Sequence, residues 1–327
     1  MRIIDFEIKN LYGKYSFKSQ LDEKVNIIVG NNGTFKTTLL NILNNVASFV
    51  LPKKFFLLDT VVINDNNDIA VKYEEYKSTI SELGNKVKER NVFKQLYEKA
   101  LAESKDIGQR NNLIVSYNVL SAFEKGKEIE DGNYTKQVKL NYISTFDIDG
   151  DGKDKDKSFL DSLLENLQSD YGYYQSDLMK ELTEHINASS SITKAELDKI
   201  NEQKNIFIDI INEAFAETGK RISYTSSKLT FENDGEIIDT NGLSSGEKQL
   251  LIIMLTALLE RNQEYILMMD EPEISLHISW QYKLIDWILR LNPNVQIILT
   301  THSPMIFSDG WGDKAIYMED ITMSARK

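Results

Sequence analysis

The segment VNIIVGNNGTFKTTLLNILNNV, residues 25–46, constrains the fold of this 327-residue chain more than any other stretch. A short apolar run leads directly into a glycine-rich turn. Apolar residues at helical spacing follow the turn, namely Leu39, Leu40, Ile42, Leu43 and Val46. A strand, a glycine turn and a helix in this order leave the first backbone N–H groups of the helix free to bind an anion. The segment therefore predicts an α/β domain with an anion-binding turn at one edge of its sheet.

The turn matches the phosphate-binding pattern G-x-x-x-x-G-K-[ST] except that Phe35 replaces the glycine before Lys36. In this pattern backbone N–H groups cradle phosphates, the lysine reaches the β- and γ-phosphates, and the hydroxyl of Thr37 ligates Mg²⁺. We expect Phe35 to turn its ring away from the nucleotide and to adopt a φ suited to a non-glycine residue. Three interpretations fit the segment alone: a functional loop, a weakened loop and a chance glycine turn. The predicted nucleotide-binding residues are Gly30, Asn31, Asn32, Gly33, Thr34, Phe35, Lys36, Thr37 and Thr38.

Strand and helix patterns alternate through the last hundred residues. Apolar strands are predicted at YILMMD, VQIILTT and KAIYM, and helices at LLIIMLTALLERN and SWQYKLIDWILRLN. Short connections between such elements indicate a mostly parallel sheet flanked by helices. YTSSKLTFEN and EIIDT form a strand pair across an Asn-Asp-Gly turn, which we expect to return the chain to that sheet.

The middle of the chain is rich in helix formers. Residues 71–104 and 159–220 both favour helices, and Thr193 and Glu196 form a capping box after a break at NASSSIT. We predict an α/β core over residues 1–72 and 221–327, with an antiparallel β part. A mixed helical and strand insertion covers 73–157, and a helical lobe covers 158–220.

The totals exclude several classes of protein. The absence of cysteine excludes disulfides, thiol catalysis and thiolate-bound metal. No stretch approaches the eighteen or so apolar residues of a membrane span, and charges interrupt the N-terminal MRIIDFEIKN where a signal peptide would be apolar. We therefore expect a cytoplasmic protein without a membrane partner. A net charge of −12 does not support nucleic-acid binding over the whole surface.

Carboxylates follow the apolar strand in YILMMDEPE. Asp270 and Glu271 come directly at its end, and Glu273 follows Pro272. Parallel α/β sheets bind ligands at the carboxyl edge of their strands. There Asp270 can hold Mg²⁺, and Glu271 can orient and deprotonate an attacking water. A strand that merely ends in acidic turn residues is the structural alternative.

Two further motifs flank this strand in sequence. LSSGEKQ opens a helix, where Ser244, Ser245, Gly246 and Glu247 present either a second anion site or a plain N-cap. ILTTHSP delivers His302 to the same sheet edge, either as a functional group or as a structural histidine.

In chain order, the glycine turn, LSSGEKQ, MMDEPEISLH and TTHSP resemble the motifs of the SMC/RecF-type branch of ABC-type ATPases. More narrowly, they resemble the ATPase domains of the overcoming-lysogenization-defect (OLD) family and related AAA-type anti-phage defence ATPases. The resemblance covers residues 1 to about 70 and 220 to 320. It implies a P-loop ABC-type ATPase head that hydrolyses ATP with Mg²⁺ in a sandwich homodimer. Glu271 would activate water and His302 would sense the γ-phosphate. Each ATP would be held by Lys36, Thr37, Asp270 and Glu271 of one protomer and by the Ser244 and Gly246 signature of the other.

The sequence departs from this family pattern in places. His277 stands where many ABC proteins have aspartate, and a histidine at this place is typical of the OLD-like branch. No glutamine is obvious between the first two motifs, so Thr145 or Asp147, in a segment near 142–147, would have to serve. Tyr12 and Tyr15 are candidates either for adenine stacking or for the core.

One acidic segment is interpreted as a solvated loop. DIDGDGKDKDKS places Asp147, Asp149, Asp151 and Gly152 at calcium-loop positions, but Ser158 stands where the bidentate glutamate belongs.

The resemblance predicts an ATPase whose ATP-dependent dimer, or a higher homo-oligomer, controls an effector in anti-phage defence. OLD-type nucleases continue into an acidic nuclease domain, and this chain ends with KAIYMEDITMSARK. We therefore expect a separate effector, a nuclease or a toxin, with the helical lobe as its docking surface. The alternatives are a catalytically weak nucleotide-clamped scaffold and a RecF/SMC-like DNA-repair ATPase.

Overall fold

The computed structural model describes residues 1–51, 58–79, 114–129, 138–144, 158–189, 193–223 and 228–323, together with the single residues 85, 95 and 98. The strands are β1 (Ile3–Leu11), β2 (Tyr15–Gln20), β3 (Val25–Val29), β4 (Thr60–Asp65), β5 (Ile69–Thr79), β6 (Ile114–Glu124), β7 (Lys127–Ile129), β8 (Leu140–Ser144), β9 (Arg221–Ser223), β10 (Thr230–Asn233), β11 (Glu236–Asp239), β12 (Tyr265–Asp270), β13 (Val295–Thr301), β14 (Ala315–Tyr317) and β15 (Thr322–Met323). The helices are α1 (Lys36–Ala47), α2 (Phe159–Ser189), α3 (Lys194–Ile200), α4 (Glu202–Ala214), α5 (Ser245–Leu259), α6 (Ile278–Leu291) and α7 (Met318–Ile321).

The chain divides into two compact units. The first comprises residues 1–23, 37–140 and 317–327, and the second comprises residues 24–36 and 141–316. The boundary between Lys36 and Thr37 falls at the beginning of α1.

The first unit is built on a seven-stranded sheet in the order β15-β2-β1-β4-β5-β6-β7, with antiparallel pairing. β5 corrects one prediction, because residues 71–79 form a strand where the sequence favoured helix. Val71 and Tyr73 are buried while Lys72 and Glu74 are half-buried, so the period of two outweighs the helix-forming composition.

The second unit is built on a five-stranded sheet in the order β14-β3-β13-β12-β8. β12 pairs parallel with β13, and β13 pairs parallel with β3. Every residue of β12 and β13 is buried, as expected for parallel strands covered on both faces. The predicted α/β fold with a mostly parallel sheet is confirmed.

A separate three-stranded antiparallel sheet, β9-β10-β11, belongs to this unit. The predicted strand pair and its turn are confirmed, since Asp234 and Gly235 both have positive φ, as a two-residue hairpin turn requires. The expectation that this pair joins the parallel sheet is wrong, because β10 pairs with β11 on one side and with β9 on the other.

Three helices fill the region predicted as helical, with a break where the sequence placed it. Thr193 caps α3 through its hydroxyl and Glu196, which completes the predicted capping box. α2 packs on α5, and Leu164, Tyr171 and Phe207 are buried in the core of the unit. In the described part of the chain, no helix is both long and apolar enough to cross a bilayer.

Candidate functional site

Three parallel strands bring the sequence motifs to one edge of the second unit. β3 leads into the glycine turn, β12 ends at Asp270, and β13 ends one residue before His302. The strands are in register there, since Asp270 lies opposite Thr300 and Thr301 lies opposite Val29. Because the strands run parallel, their carboxyl ends place an aspartate, a glutamate and a histidine beside the turn.

The glycine turn holds Phe35 in the left-handed region, with φ of +69°. The expectation of a φ suited to a non-glycine residue is wrong. The position keeps the conformation that glycine adopts most readily, at a cost of about 1–2 kcal/mol for a residue with a Cβ. Gly33 also has a positive φ, +79°, and Thr34 closes the turn by donating to the carbonyl of Asn31. The first turn of α1 carries no acidic residue, so the positive end of its dipole is open to an anion.

Lys36 is 4 % exposed and its ammonium points into the site. Nζ donates to the carbonyl of Gly30 at 2.9 Å and contacts Nε2 of His302. It lies 3.8 Å from Oε1 of Glu271. Burial lowers the pKa of Lys36, and the attraction of Glu271 and the neighbouring carboxylates opposes this shift.

Glu271 connects the lysine and the histidine. Its Oε1 lies 2.9 Å from Nε2 of His302, and its backbone N–H donates to the carbonyl of Thr300. Its φ of +47° is in the left-handed region, which turns the residue sharply out of β12. Burial raises the pKa of Glu271, and the charges of His302 and Lys36 act against that rise. Lys36, Glu271 and His302 thus form one contiguous cluster.

Asp270 is fully buried at the end of β12, where its carboxylate accepts a hydrogen bond from the hydroxyl of Thr300. Within the described ranges, no group of three or more His, Asp or Glu side chains is arranged to hold a metal by itself. Mg²⁺ commonly uses one or two protein ligands and takes the rest from water and phosphates, so Asp270 fits it. Three carboxylates, of Asp270, Glu271 and Glu273, act on the single charge of Lys36, and this acidic excess also suits a divalent cation. Thr37 and Thr38 lie half-buried in the first turn of α1.

The LSSGEKQ motif forms the start of α5. Ser244 and Ser245 are exposed, and the hydroxyl of Ser244 accepts the N–H of Glu247 in a capping box. The backbone of Gly246 packs so closely that an added Cβ would lie 2.3 Å from the carbonyl oxygen of Ser275. The motif is therefore joined to the turn that follows Asp270 and Glu271.

Glu247 points into the protein and is 1 % exposed. Its carboxylate accepts from the backbone of Ser244, from Lys220 and from the hydroxyl of Thr218, each at 2.8 Å. Burial opposes ionisation, but the hydrogen bonds from Lys220 and Ser244 outweigh it and hold the pKa of Glu247 below its ordinary value. Glu247 supports the motif from inside, whereas the two serines face solvent.

His277 is exposed and caps α6, its Nδ1 accepting from the backbone N–H of Ser279. Tyr12 is 38 % exposed in the first unit, so the interpretation as a core aromatic is wrong for it. Tyr15 is half-buried there beside Lys14. Thr145, Asp147 and the acidic segment up to residue 157 lie outside the described residues.

Glu273 is a further carboxylate at this sheet edge, to which the sequence analysis assigned no role. It is buried, and its Oε1 accepts from the hydroxyl of Thr301 and the backbone N–H groups of His302 and Ser303. The available signal was a carboxylate two residues beyond Glu271, separated from it by proline.

Comparison with known proteins agrees with this geometry. Over 91 % of its length the chain is 22 % identical to a retron Vc95 probable ATPase of Vibrio cholerae serotype O1 biovar El Tor, of which the match covers 69 %. It is 26 % identical to the Septu protein PtuA of Bacillus thuringiensis over 92 % of this chain and 72 % of that protein.

Among solved structures, an SMC head bound to the C-terminal winged-helix domain of ScpA superposes with a TM-score of 0.53 at 12 % identity. The superposition covers 94 % of this chain and 92 % of that one. The fold is therefore that of an SMC head, as the resemblance to SMC-type ATPases implied. A family model described as "AAA domain, putative AbiEii toxin, Type IV TA system" matches residues 25–308, which include the glycine turn, LSSGEKQ, Asp270, Glu271 and His302. The chain belongs to this AAA-domain family.

Proposed function

We propose that this protein binds ATP with Mg²⁺ and hydrolyses it, and that its nucleotide state controls a separate effector. The convergence of Lys36, Glu271 and His302 beside a glycine turn supports this proposal best. A structural ion pair needs only two of these groups. Placing all three at the carboxyl edge of a parallel sheet, next to a helix N-terminus, suits a triphosphate and an attacking water.

Lys36 would exchange its bonds to Gly30 and His302 for oxygens of the β- and γ-phosphates. Asp270 and Thr37 would hold Mg²⁺, which when bound neutralises charge that develops on the phosphates. Glu271 would orient the attacking water and accept its proton, and the burial that raises its pKa makes it a stronger base. His302, beside Glu271, would sense the γ-phosphate.

A sandwich homodimer would complete the nucleotide site. Ser244 and Ser245 are exposed at the start of α5, so their side chains would face the ATP of a partner protomer. Gly246 and Glu247 would keep that surface in shape from inside.

A role in anti-phage defence is supported by the resemblance to OLD-type ATPases and by relatives named for a retron and for Septu. The effector, a nuclease or a toxin, would be a separate polypeptide. Cells that express the protein with its effector should lose protection against phage when Lys36 or Glu271 is replaced.

The first test is ATP hydrolysis measured beside the ATP-dependent molecular mass for wild type, Glu271→Gln and Lys36→Ala. We expect turnover in wild type, an ATP-trapped dimer in Glu271→Gln, and loss of ATP binding in Lys36→Ala. Glu236→Gln, on the exposed strand β11, is the matched control and should behave as wild type.

Each alternative predicts a different result. An ATP-dependent mass change without turnover in wild type would favour the nucleotide-clamped scaffold. Salt-dependent DNA binding with a slope for several phosphate contacts would favour a DNA-repair ATPase. Normal ATP binding by Lys36→Ala would contradict nucleotide binding at this loop.

A further inference from the structure

The third carboxylate of the DEPE segment, Glu273, lies beside the proposed catalytic cluster without belonging to it. Its side chain is only 8 % exposed, so it is not available to solvent in the way an acidic turn residue usually is. A buried carboxylate is costly unless hydrogen bonds satisfy it. Its contacts therefore indicate what it does.

All the hydrogen bonds of this carboxylate run to one short segment. Oε1 accepts from Thr301 Oγ1 at 2.6 Å, from the N–H of His302 at 2.8 Å and from the N–H of Ser303 at 3.2 Å. The segment follows β13 directly, where the ladder to β3 ends at Thr301. The N–H of His302 therefore takes Glu273 as acceptor in place of a neighbouring strand, and the N–H of Ser303 is shared between Glu273 and the hydroxyl of Thr301, which lies 2.9 Å away.

A second anchor holds the same segment from α6. Ser303 Oγ donates to Oε1 of Gln281 at 2.7 Å, and Nε2 of Gln281 donates to the carbonyl of Leu276 at 3.0 Å. Glu273 thus fixes the backbone on both sides of the His302 Cα, and Gln281 fixes the residue that follows.

The side chain of His302 returns to the turn that holds its backbone. Its Nε2 lies 2.9 Å from Oε1 of Glu271, two residues before Glu273. The two glutamates therefore contact one histidine at different points: Glu273 accepts from its backbone N–H, and Glu271 contacts its ring. The N–H of Glu271 also donates to the carbonyl of Thr300, so a hydrogen bond joins the ends of β12 and β13 here.

We propose that Glu273 is a positioning residue that holds the backbone of His302 so that its imidazole meets Glu271, and that this positioning depends on hydrogen-bond acceptance rather than on the charge of the carboxylate. This rests on the proposed ATP hydrolysis. The two neighbouring glutamates then differ in what they require. Glu271 needs an ionisable carboxylate, whereas Glu273 needs one oxygen in the right place.

Glutamine substitutions separate these requirements. Glu273→Gln keeps an amide oxygen whose two lone pairs can accept from the Thr301 hydroxyl and the His302 N–H, so we expect kcat within about threefold of wild type. Glu271→Gln removes the base and should abolish turnover. Glu273→Ala removes the acceptor of the His302 N–H and leaves the N–H of Ser303 with the hydroxyl of Thr301, 2.9 Å away. A catalytic group displaced by about 1 Å loses about 100-fold in rate. We therefore expect Glu273→Ala to lower kcat by 10- to 100-fold while the Kd for ATP changes less than threefold.

The decisive experiment measures kcat, the Kd for ATP, and hydrogen exchange of the peptide containing residues 301–305 in wild type, Glu273→Gln, Glu273→Ala and the control Glu236→Ala. Exchange at the N–H of His302, which donates to Glu273, should accelerate in Glu273→Ala only. Loss of turnover in Glu273→Gln equal to that in Glu271→Gln would overturn the proposal, as would unchanged exchange in Glu273→Ala.

The exchange measurement also separates this inference from the proposed function. A wild-type protein without ATP turnover would defeat the proposed function. Exchange at residues 301–305 would still decide whether Glu273 holds the histidine. If Glu273→Ala does not fold, Glu273→Gln alone keeps the test, because it must preserve both protection and, where wild type has it, turnover.

Discussion

Phe35 offers the most direct test of the geometry of the phosphate loop. Its φ of +69° brings a Cβ close to the following carbonyl oxygen, which costs about 1–2 kcal/mol. Glycine removes this cost but adds about 0.5–1 kcal/mol of conformational entropy in the unfolded chain. The Phe35 side chain is half-buried, so replacing it with any small residue lowers the free energy of unfolding by about 1 kcal/mol through loss of the ring.

Phe35→Ala is the matched control, because it loses the ring but keeps the Cβ and the unfavourable φ. We expect Phe35→Gly to be more stable than Phe35→Ala by about 1 kcal/mol, the Cβ cost less the entropy of glycine. Relative to wild type, Phe35→Gly should stay within about 1 kcal/mol. Urea unfolding of all three proteins, with m values checked for constancy, measures these differences.

Equal stability of the two variants, or a more stable alanine, would refute the inference that position 35 is held left-handed. ATP turnover measured on the same proteins adds a functional outcome. If strain at Phe35 weakens the site, Phe35→Gly should raise turnover and Phe35→Ala should not.

Two further predictions concern the start of α5. Gly246→Ala should cost about 1–3 kcal/mol, because the new Cβ would meet a backbone oxygen of Ser275 that no rotamer change can move. Its control, Gly172→Ala in α2, has no heavy atom within 4 Å of the new Cβ and should be stabilising in urea unfolding. Because the pKa of Glu247 is lowered in the folded protein, the ionised carboxylate stabilises the fold above about pH 4.3, the ordinary glutamate pKa. This stabilisation is lost as the pH falls through the folded-state pKa. The stability difference between wild type and Glu247→Gln should therefore be constant above about pH 5 and shrink below about pH 4; a difference unchanged down to about pH 3 would contradict the assignment.

The Lys36–Glu271–His302 cluster bears on the proposed binding of ATP. Lys36 donates to the carbonyl of Gly30, contacts His302 and lies 3.8 Å from the carboxylate of Glu271. Under the proposed function, a triphosphate would have to replace these contacts, so nucleotide binding would release Glu271 from Lys36. Glu271→Gln would then weaken the attraction on Lys36 as well as remove the proposed base, which favours the ATP-trapped state that we expect for this variant.

The sequence alone determined the parts of this protein that depend on local pattern. The apolar runs of β12 and β13 specified a parallel sheet buried on both faces, because such strands have no solvent side to make polar. The sequence predicted a capping box of Thr193 and Glu196 and offered an N-cap serine in LSSGEKQ, and the structure has the capping box at Thr193 and an N-cap at Ser244. The order of strand-end residues was enough to bring Lys36, Glu271 and His302 together, since parallel strands end at the same edge.

Tertiary structure decided what depends on partners distant in the chain. β5 is a strand because its alternation meets β4 and β6, although its composition favours helix. Glu247 turned inward because Lys220 and Thr218 are placed against it, and Glu273 became an anchor because Thr301 and His302 lie across the sheet edge. These hydrogen bonds join residues 27 to 29 positions apart, so no local spacing encodes them. The positive φ of Phe35 is also visible only in the structure, because the turn between β3 and α1 imposes a φ that phenylalanine by itself disfavours.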